Sequence, residues 1–463
     1  MTAIELASSY RSGRLSPTEI AESTLLRIES FNPRLNAIVT MDTRAIRRDA
    51  AASAERFRAG APLGPLDGVP LVVKDCIHVR GLPTAWGTLL FKDNVQEKDE
   101  QPVARLRQSG MIILGKTNVP EFALRGFTNN PTFGPTRNPW DTDLTVGGSS
   151  GGTVSAIAAG FAPIGIGADA GGSIWRPAGF TGLVGLKPSA GRVPRRDALP
   201  AIVSDLDVAG PIARTVADLT LAYEIMALPD LGVPSSYAFG RESRRFDLQR
   251  PPESQRILFI EQFRDSPVDR EVMAAVSKAA ENLAALGHQV VTGKAPFDTT
   301  AFGRCFGPIS RAGLAWATQG RPWQEQVTEE FRQSIEAGLK VSAVEYLEAL
   351  DVVRCFREEI AAAYEHVDII MTPSSATLPW AATERAPETI NGEPADAGAH
   401  SVFTGFANIS GYPGINIPAD PSANGLPIGF QLVGRYGDEA LLLRLARQYE
   451  TAHPWADRRP ALS

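Results

Sequence analysis

Apolar positions change period several times along the chain, and each change marks a different kind of element. Behind Ser16-Pro17-Thr18-Glu19, the residues Ile20, Thr24, Ile28 and Phe31 recur at helical spacing. A serine followed three residues later by glutamate, with proline at the first helical position, is a capping box that satisfies the free amides of the first turn. Residues 1–60 are therefore predicted to be helical. From 60 to 225 short continuous apolar runs take over. Pro70-Leu71-Val72-Val73-Lys74-Asp75-Cys76-Ile77, Met111 to Leu114 and Pro163 to Ile166 are each bounded by turn residues and read as buried strands. Val103 to Ser109 and the small-residue stretch Val154 to Ala159 are predicted helices between them.

Residues 228–256, rich in Pro, Arg, Ser and Asp, read as a surface connection to a strand at Ile257 to Ile260. A helix over about Glu271 to Leu286, stopped by Gly287, precedes a strand at Val290-Val291. Further strands are predicted at Asp368 to Met371 and Gly429 to Val433, with a last helix after Asp438. The alternation predicts a mixed α/β protein, a sheet flanked by helices. No internal repeat or low-complexity tract interrupts it.

Composition narrows the classes. A chain of 463 residues with 43% hydrophobic content can bury a large core, and 42 Gly with 35 Pro suit many turns. The formal net charge of −6 offers no footprint for nucleic acid or an anionic membrane, and no apolar run is long enough for a membrane span. Cys76, Cys305 and Cys355 have no metal-ligand spacing and read as reduced thiols, and the amino terminus has no basic-then-apolar leader pattern. The expectation is a cytoplasmic protein without metal or cofactor, acting on a small molecule as a monomer or homodimer.

The chemistry is concentrated in Gly147-Gly148-Ser149-Ser150-Gly151-Gly152 and in Gly171-Gly172-Ser173. A hydrolytic serine needs a base, usually an imidazole. The five histidines, His78, His288, His366, His400 and His453, have no setting that suggests one. Lysine serves if it is neutral, and desolvation lowers a lysine pKa. Lys74 sits at the end of an apolar run where that condition can be met, although the run alone favours a lysine paired with a carboxylate at a sheet edge, and it is the serine segments that reverse this.

These segments resemble the amidase signature family. Gly68-Val69-Pro70 with Val73-Lys74-Asp75, the Gly147–Gly152 run, and Gly167, Asp169, Gly171-Gly172-Ser173 with Pro177-Ala178 match its motifs. Leu114-Gly115-Lys116-Thr117-Asn118, Phe133 to Trp140 and Val184 to Pro188 look like the family's as well. The likeness is dense over 60–220 and thinner beyond. It implies one domain over 1–463: N-terminal helices (1–60), a catalytic core (60–225), and the rest of a large mixed sheet with helices on both faces, together with substrate-pocket excursions (256–463). It further implies amide hydrolysis with Ser173 as nucleophile, Ser149 as a bridging serine behind a cis Gly148–Ser149 bond, Lys74 as base, and the main-chain amides of Ala170, Gly171, Gly172 and Ser173 as the oxyanion hole. Esters, anilides and carbamates are possible further substrates.

Departures from the pattern bear on the substrate. Alanines (Ala168, Ala170) stand where many members carry Thr, and Trp175 where many carry Arg. Arg176 follows instead, in a place where some members grip a substrate carboxylate. Arg176 and Trp175 are therefore candidate substrate contacts. The segments 296–345 and 376–400 match the family least and are expected to shape the entrance.

Other readings compete. Within the family, one component of the glutamine-dependent tRNA amidotransferases, their A subunit, carries an acidic residue before a Phe-Thr pair, where Ser401 here precedes Val402-Phe403-Thr404. Gly147-x-Ser149-x-Gly151 also fits a nucleophile elbow, which requires a later catalytic histidine. Gly165-x-Gly167-x-x-Ala170 matches a dinucleotide fingerprint, the mark of a nucleotide-binding oxidoreductase, but Gly171, Gly172 and Pro177 spoil the helix that must follow.

Overall fold

The computed structural model describes residues 1–240 and 246–462, so residues 241–245 of the expected surface connection lie outside the described residues. One sheet of 11 strands runs through the molecule. From edge to edge its order is Ile38–Thr40, Ile112–Thr117, Pro70–Lys74, Ile164–Asp169, Val208–Ala213, Val184–Lys187, Gly414–Pro418, Gly429–Val433, Ile369–Pro373, Arg256–Phe259 and Gln289–Thr292. Pro70–Lys74 and Arg256–Phe259 are parallel to both their neighbours; every other pairing is antiparallel. The sheet is thus mixed, as expected.

Pro70–Lys74 shows why continuous apolar runs mark the inner strands. It pairs on both edges and is covered on both faces, so no position faces water, and Leu71, Val72 and Val73 are fully buried. Each such side chain contributes about 1.5–3 kcal/mol by leaving water. The same enclosure strips water from Lys74, the strand's last residue. Its neighbour Ile164–Asp169 runs in the same direction with Leu71 opposite Ile164, so Lys74 and Asp169 emerge at the same end of the sheet. In open α/β sheets, the carboxyl ends of parallel strands are where ligands bind.

The helix Gly151–Ala158 lies against these strands and is buried at every position. Gly152 permits the approach, since a Cβ there would stand 2.2 Å from the Asn118 main-chain nitrogen. In the N-terminal region, helices Ala3–Arg11, Pro17–Leu35 and Thr43–Arg58 form as predicted, and the Ser16/Glu19 capping box closes with both reciprocal bonds. The region also holds the short strand Ile38–Thr40, which the reading of 1–60 as helical lacks.

The first of the two least family-like segments is largely helical: Ala301–Thr318 packs on Glu329–Gly338 and on Ala343–Ala363, while Trp323–Gln326 packs against the turn Leu89–Phe91. Among the described residues, no helix is long and apolar enough to cross a membrane.

Candidate active site

The two serine-bearing loops meet where the central strands end. The Ser150 amide donates to the Ser173 carbonyl at 3.1 Å, and the Ser150 hydroxyl to Ala168 O at 3.3 Å. Ser149 follows a cis Gly148–Ser149 peptide. Lys74 Nζ lies 2.7 Å from Ser149 Oγ and 2.7 Å from the Ala168 carbonyl oxygen. Lys74 is 1% exposed, and among the described residues no carboxylate stands within 4.0 Å of it. Burial lowers its pKa below the ordinary lysine value, and the more distant charges of Asp207 and Asp169 oppose that without reversing it.

The paired alternative is realised at a different lysine. Lys116, from the Leu-Gly-Lys-Thr-Asn segment, is also fully buried, but its Nζ stands 3.0 Å from Asp75 Oδ1 and 3.0 Å from Thr84 Oγ1. Two buried lysines on adjacent strands therefore differ in kind. Lys116 has a carboxylate beside it; Lys74 has only a hydroxyl and a carbonyl for company.

The loop after Ile164–Asp169 is built around the Asp169 carboxylate. Its Oδ1 accepts the amides of Gly171 (3.1 Å) and Gly172 (2.7 Å) and the Asn408 side-chain amide (3.0 Å), while Oδ2 accepts Ile174 N–H at 2.6 Å. Gly172 adopts φ +99°, and a Cβ there would lie 2.5 Å from Thr404. Thr404 in turn donates to Gly171 O at 2.8 Å. In this network the Gly171 and Gly172 amides donate to Asp169, whereas those of Ala170 and Ser173 have no protein acceptor among the described residues. A short-range sequence reading cannot see this, because which amides stay free depends on where one carboxylate turns.

Lys74, Ser149, Ala170 and Ser173 line one cavity of about 210 Å³. No histidine lines it, so the nucleophile-elbow reading has no base there. Trp86, Phe122 and Leu124 form one wall, and Leu199, Ile202 and Val203 form another. Residues of 195–207 thus supply the lining on that side, and none of the excursions 296–345 and 376–400 lines the cavity. The first excursion supports the wall residue Phe122: Phe331 packs on it with ring centroids 5.1 Å apart, and Thr328 donates to the buried Glu121 carboxylate. Among the described residues, no group of three or more His, Cys, Asp or Glu is arranged to hold a metal.

Neither candidate substrate contact lines this cavity. Trp175 is fully buried, and its indole N–H donates to Gly414 O at 3.1 Å. Arg176 is 3% exposed, and its Nη2 donates to Gly148 O at 3.0 Å, the carbonyl just before Ser149. His400 sits beside it, pushed down to about 3 by burial and by the Arg176 charge, hence neutral. The sequence reading missed Asn408, which donates to Asp169 and to Leu206 O from more than 200 residues away. Only the nearby Phe403-Thr404 pair signals that this region belongs to the site.

A strand-end lysine, two serine loops and a glycine turn on a large mixed sheet define an amide-cleaving hydrolase, and the chain belongs to the amidase signature family. The amidase family model matches residues 19–443. An acylamidase of Rhodococcus erythropolis is 35% identical over 468 residues, covering 100% of this chain and 97% of that protein. The A component of the glutamyl-tRNA(Gln) amidotransferase of Halorhodospira halophila is 34% identical over 482 residues, covering 98% and 97%. Among solved structures, a 6-aminohexanoate cyclic dimer hydrolase complexed with substrate superposes with a TM-score of 0.90 at 29% identity, covering 100% of this chain and 98% of the other. The native peptide amidase of Stenotrophomonas maltophilia superposes with a TM-score of 0.84 at 26% identity, covering 100% and 98%.

Proposed function

We propose that this protein hydrolyses carboxamide C–N bonds through an acyl-enzyme on Ser173, with Ser149 as proton relay and Lys74 as base. The observation that carries the proposal is the desolvated, unpaired Lys74 amine, 2.7 Å from Ser149 Oγ in the cavity that also holds Ser173. A neutral amine takes the Ser149 proton, Ser149 takes the Ser173 proton, and Ser173 Oγ attacks the carbonyl carbon. Ala170 and Ser173, whose amides have no protein acceptor among the described residues, line the same cavity, and in this reading those amides stabilise the oxyanion. Collapse of the tetrahedral intermediate returns a proton through Ser149 to the departing nitrogen, and water then releases the acid by the same route. Esters, anilides and carbamates present the same carbonyl to the same groups.

The amidotransferase relatives support a second reading, in which the chain works only with partner subunits. Against it, Ser401 bonds its hydroxyl to Gly398 O at 2.9 Å and places no acid in the cavity. The test is hydrolysis of a panel of simple amides by the purified chain alone, with Ser173→Ala as control. Turnover abolished by Ser173→Ala supports the hydrolase; no turnover without added subunits, and glutaminase activity with them, supports the other.

A further inference from the structure

Apart from the Lys74 amine, the cavity is lined by one cationic side chain, Arg195, and one carboxylate, Asp207. Arg195 is not free to meet a ligand. Its Nε donates to Glu100 Oε1 at 2.5 Å and its Nη2 to Glu100 Oε2 at 3.4 Å, while its Nη1 is held by Asp207 Oδ2. The three side chains grade outward: Glu100 is fully buried, Arg195 is 17% exposed and Asp207 28% exposed. The guanidinium is therefore gripped on two edges, by the buried Glu100 and by the more exposed Asp207. One positive charge between two negative ones leaves a net charge of −1, and its most exposed member is a carboxylate. The remaining lining toward this side, Ala198 to Val203, is almost entirely apolar.

Resting on the hydrolase reading of this site, we infer that Asp207 determines specificity: it locks Arg195 and closes the acyl pocket to anionic groups, so that the substrates are amides of neutral, apolar acids about the size of a phenylacetyl group. The size follows from the cavity, since an apolar cavity of about 150 Å³ accommodates benzene, and this one measures about 210 Å³. The charge preference follows from the ion cluster. The cluster of Glu100, Arg195 and Asp207 carries a net charge of −1 and its most exposed member is Asp207, so a substrate carboxylate beside Asp207 meets net repulsion. Two carboxylates about 6 Å apart at an effective dielectric near 20 repel enough to lower binding about 100-fold. Arg176, whose residue type suits carboxylate recognition, is turned away behind Gly148 and offers no relief.

The test compares 4-nitrophenylacetamide with 4-carboxyphenylacetamide, which match in shape and differ in charge, as kcat/KM for the native enzyme and for Asp207→Asn. Asparagine keeps an oxygen for Arg195 and removes the charge. The expected result is a nitro-to-carboxylate ratio of about 100 or more in the native enzyme, falling at least about tenfold in the variant. A native ratio within about threefold of unity, or a ratio that Asp207→Asn leaves unchanged, overturns the inference. The rates at which 4-nitrobenzyl and 4-carboxybenzyl sulfonyl fluorides label Ser173 give the same comparison without amide turnover. They also decide the matter on the native enzyme alone where the variant does not fold. If neither reagent labels the protein, it is the hydrolase reading itself that fails, and the inference with it.

Discussion

Methionine at Lys74 and at Lys116, two of the three fully buried lysines, separates chemistry from stability. Lys116→Met removes half of the ion pair with Asp75, leaving a carboxylate at 1% exposure without its counter-charge. Breaking a buried pair from one side costs about 3–5 kcal/mol. With an unfolding entropy of about 2.1 cal/mol/K per residue, a chain of this length loses roughly 1 °C of Tm per kcal/mol, so this variant should melt about 3–5 °C below the parent. Lys74→Met removes the opposite kind of group, a desolvated amine without a carboxylate beside it, whose pKa burial lowers. It forfeits two hydrogen bonds worth about 1 kcal/mol each and recovers the cost of burying that amine, 1.36 kcal/mol for every unit by which burial depresses the pKa. It should melt within about 2 °C of the parent or above it, with turnover reduced at least about 100-fold, the scale of general-base catalysis. Calorimetry at pH 7 and amide hydrolysis on the same preparations read both quantities. A Lys74→Met protein that loses as much Tm as Lys116→Met, or that keeps more than about a tenth of its activity, refutes the contrast between the two lysines.

The pH dependence follows the same group. Lys74 acts only when neutral, so kcat/KM should rise with pH and reach its plateau below the ordinary lysine value of 10.5. Its depressed folded-state pKa makes its stability contribution grow as pH rises from that pKa toward the unfolded value, so the Tm of Lys74→Met minus that of the parent should fall over that interval in pH-dependent melting. Asn408→Ala strips donors from Asp169 Oδ1 and O and from Leu206 O in a buried setting, and should cost about 2–4 kcal/mol by calorimetry while lowering kcat; a variant with normal stability and kcat would remove Asn408 from the support of the loop. Arg176→Met should lower kcat equally for neutral and carboxylate-bearing amides, because its guanidinium holds Gly148 O and does not face substrate; a KM increase confined to carboxylate substrates would restore the substrate-contact role.

How much of this was legible in the sequence depended on the range of the forces involved. Gly429–Val433 forms over the residues expected, and Ile164–Asp169 lies within a few residues of its predicted run, since inner strands write their burial into continuous apolar stretches. The serine loops and Lys74 were legible because a glycine-rich backbone and a lysine closing an apolar strand are unusual locally. The helices of 301–363 were not assigned, because Pro308 lies inside one and Pro322 with Gly320 interrupts the series. The free amides of the glycine turn were not legible either, since Asp169 selects them through contacts with Asn408. Nor was the cavity lining at 195–207, an irregular segment whose apolar residues follow no period.

Activation of Ser173 is tested most directly by intact-mass measurement after treating the native protein, Ser173→Ala and Lys74→Met with a fluorophosphonate. One adduct on the native chain, mapped to Ser173, absent from Ser173→Ala and formed far more slowly on Lys74→Met, is the predicted result. Labelling of Ser149 in place of Ser173, or labelling that Lys74→Met leaves at the native rate, would contradict the assigned roles.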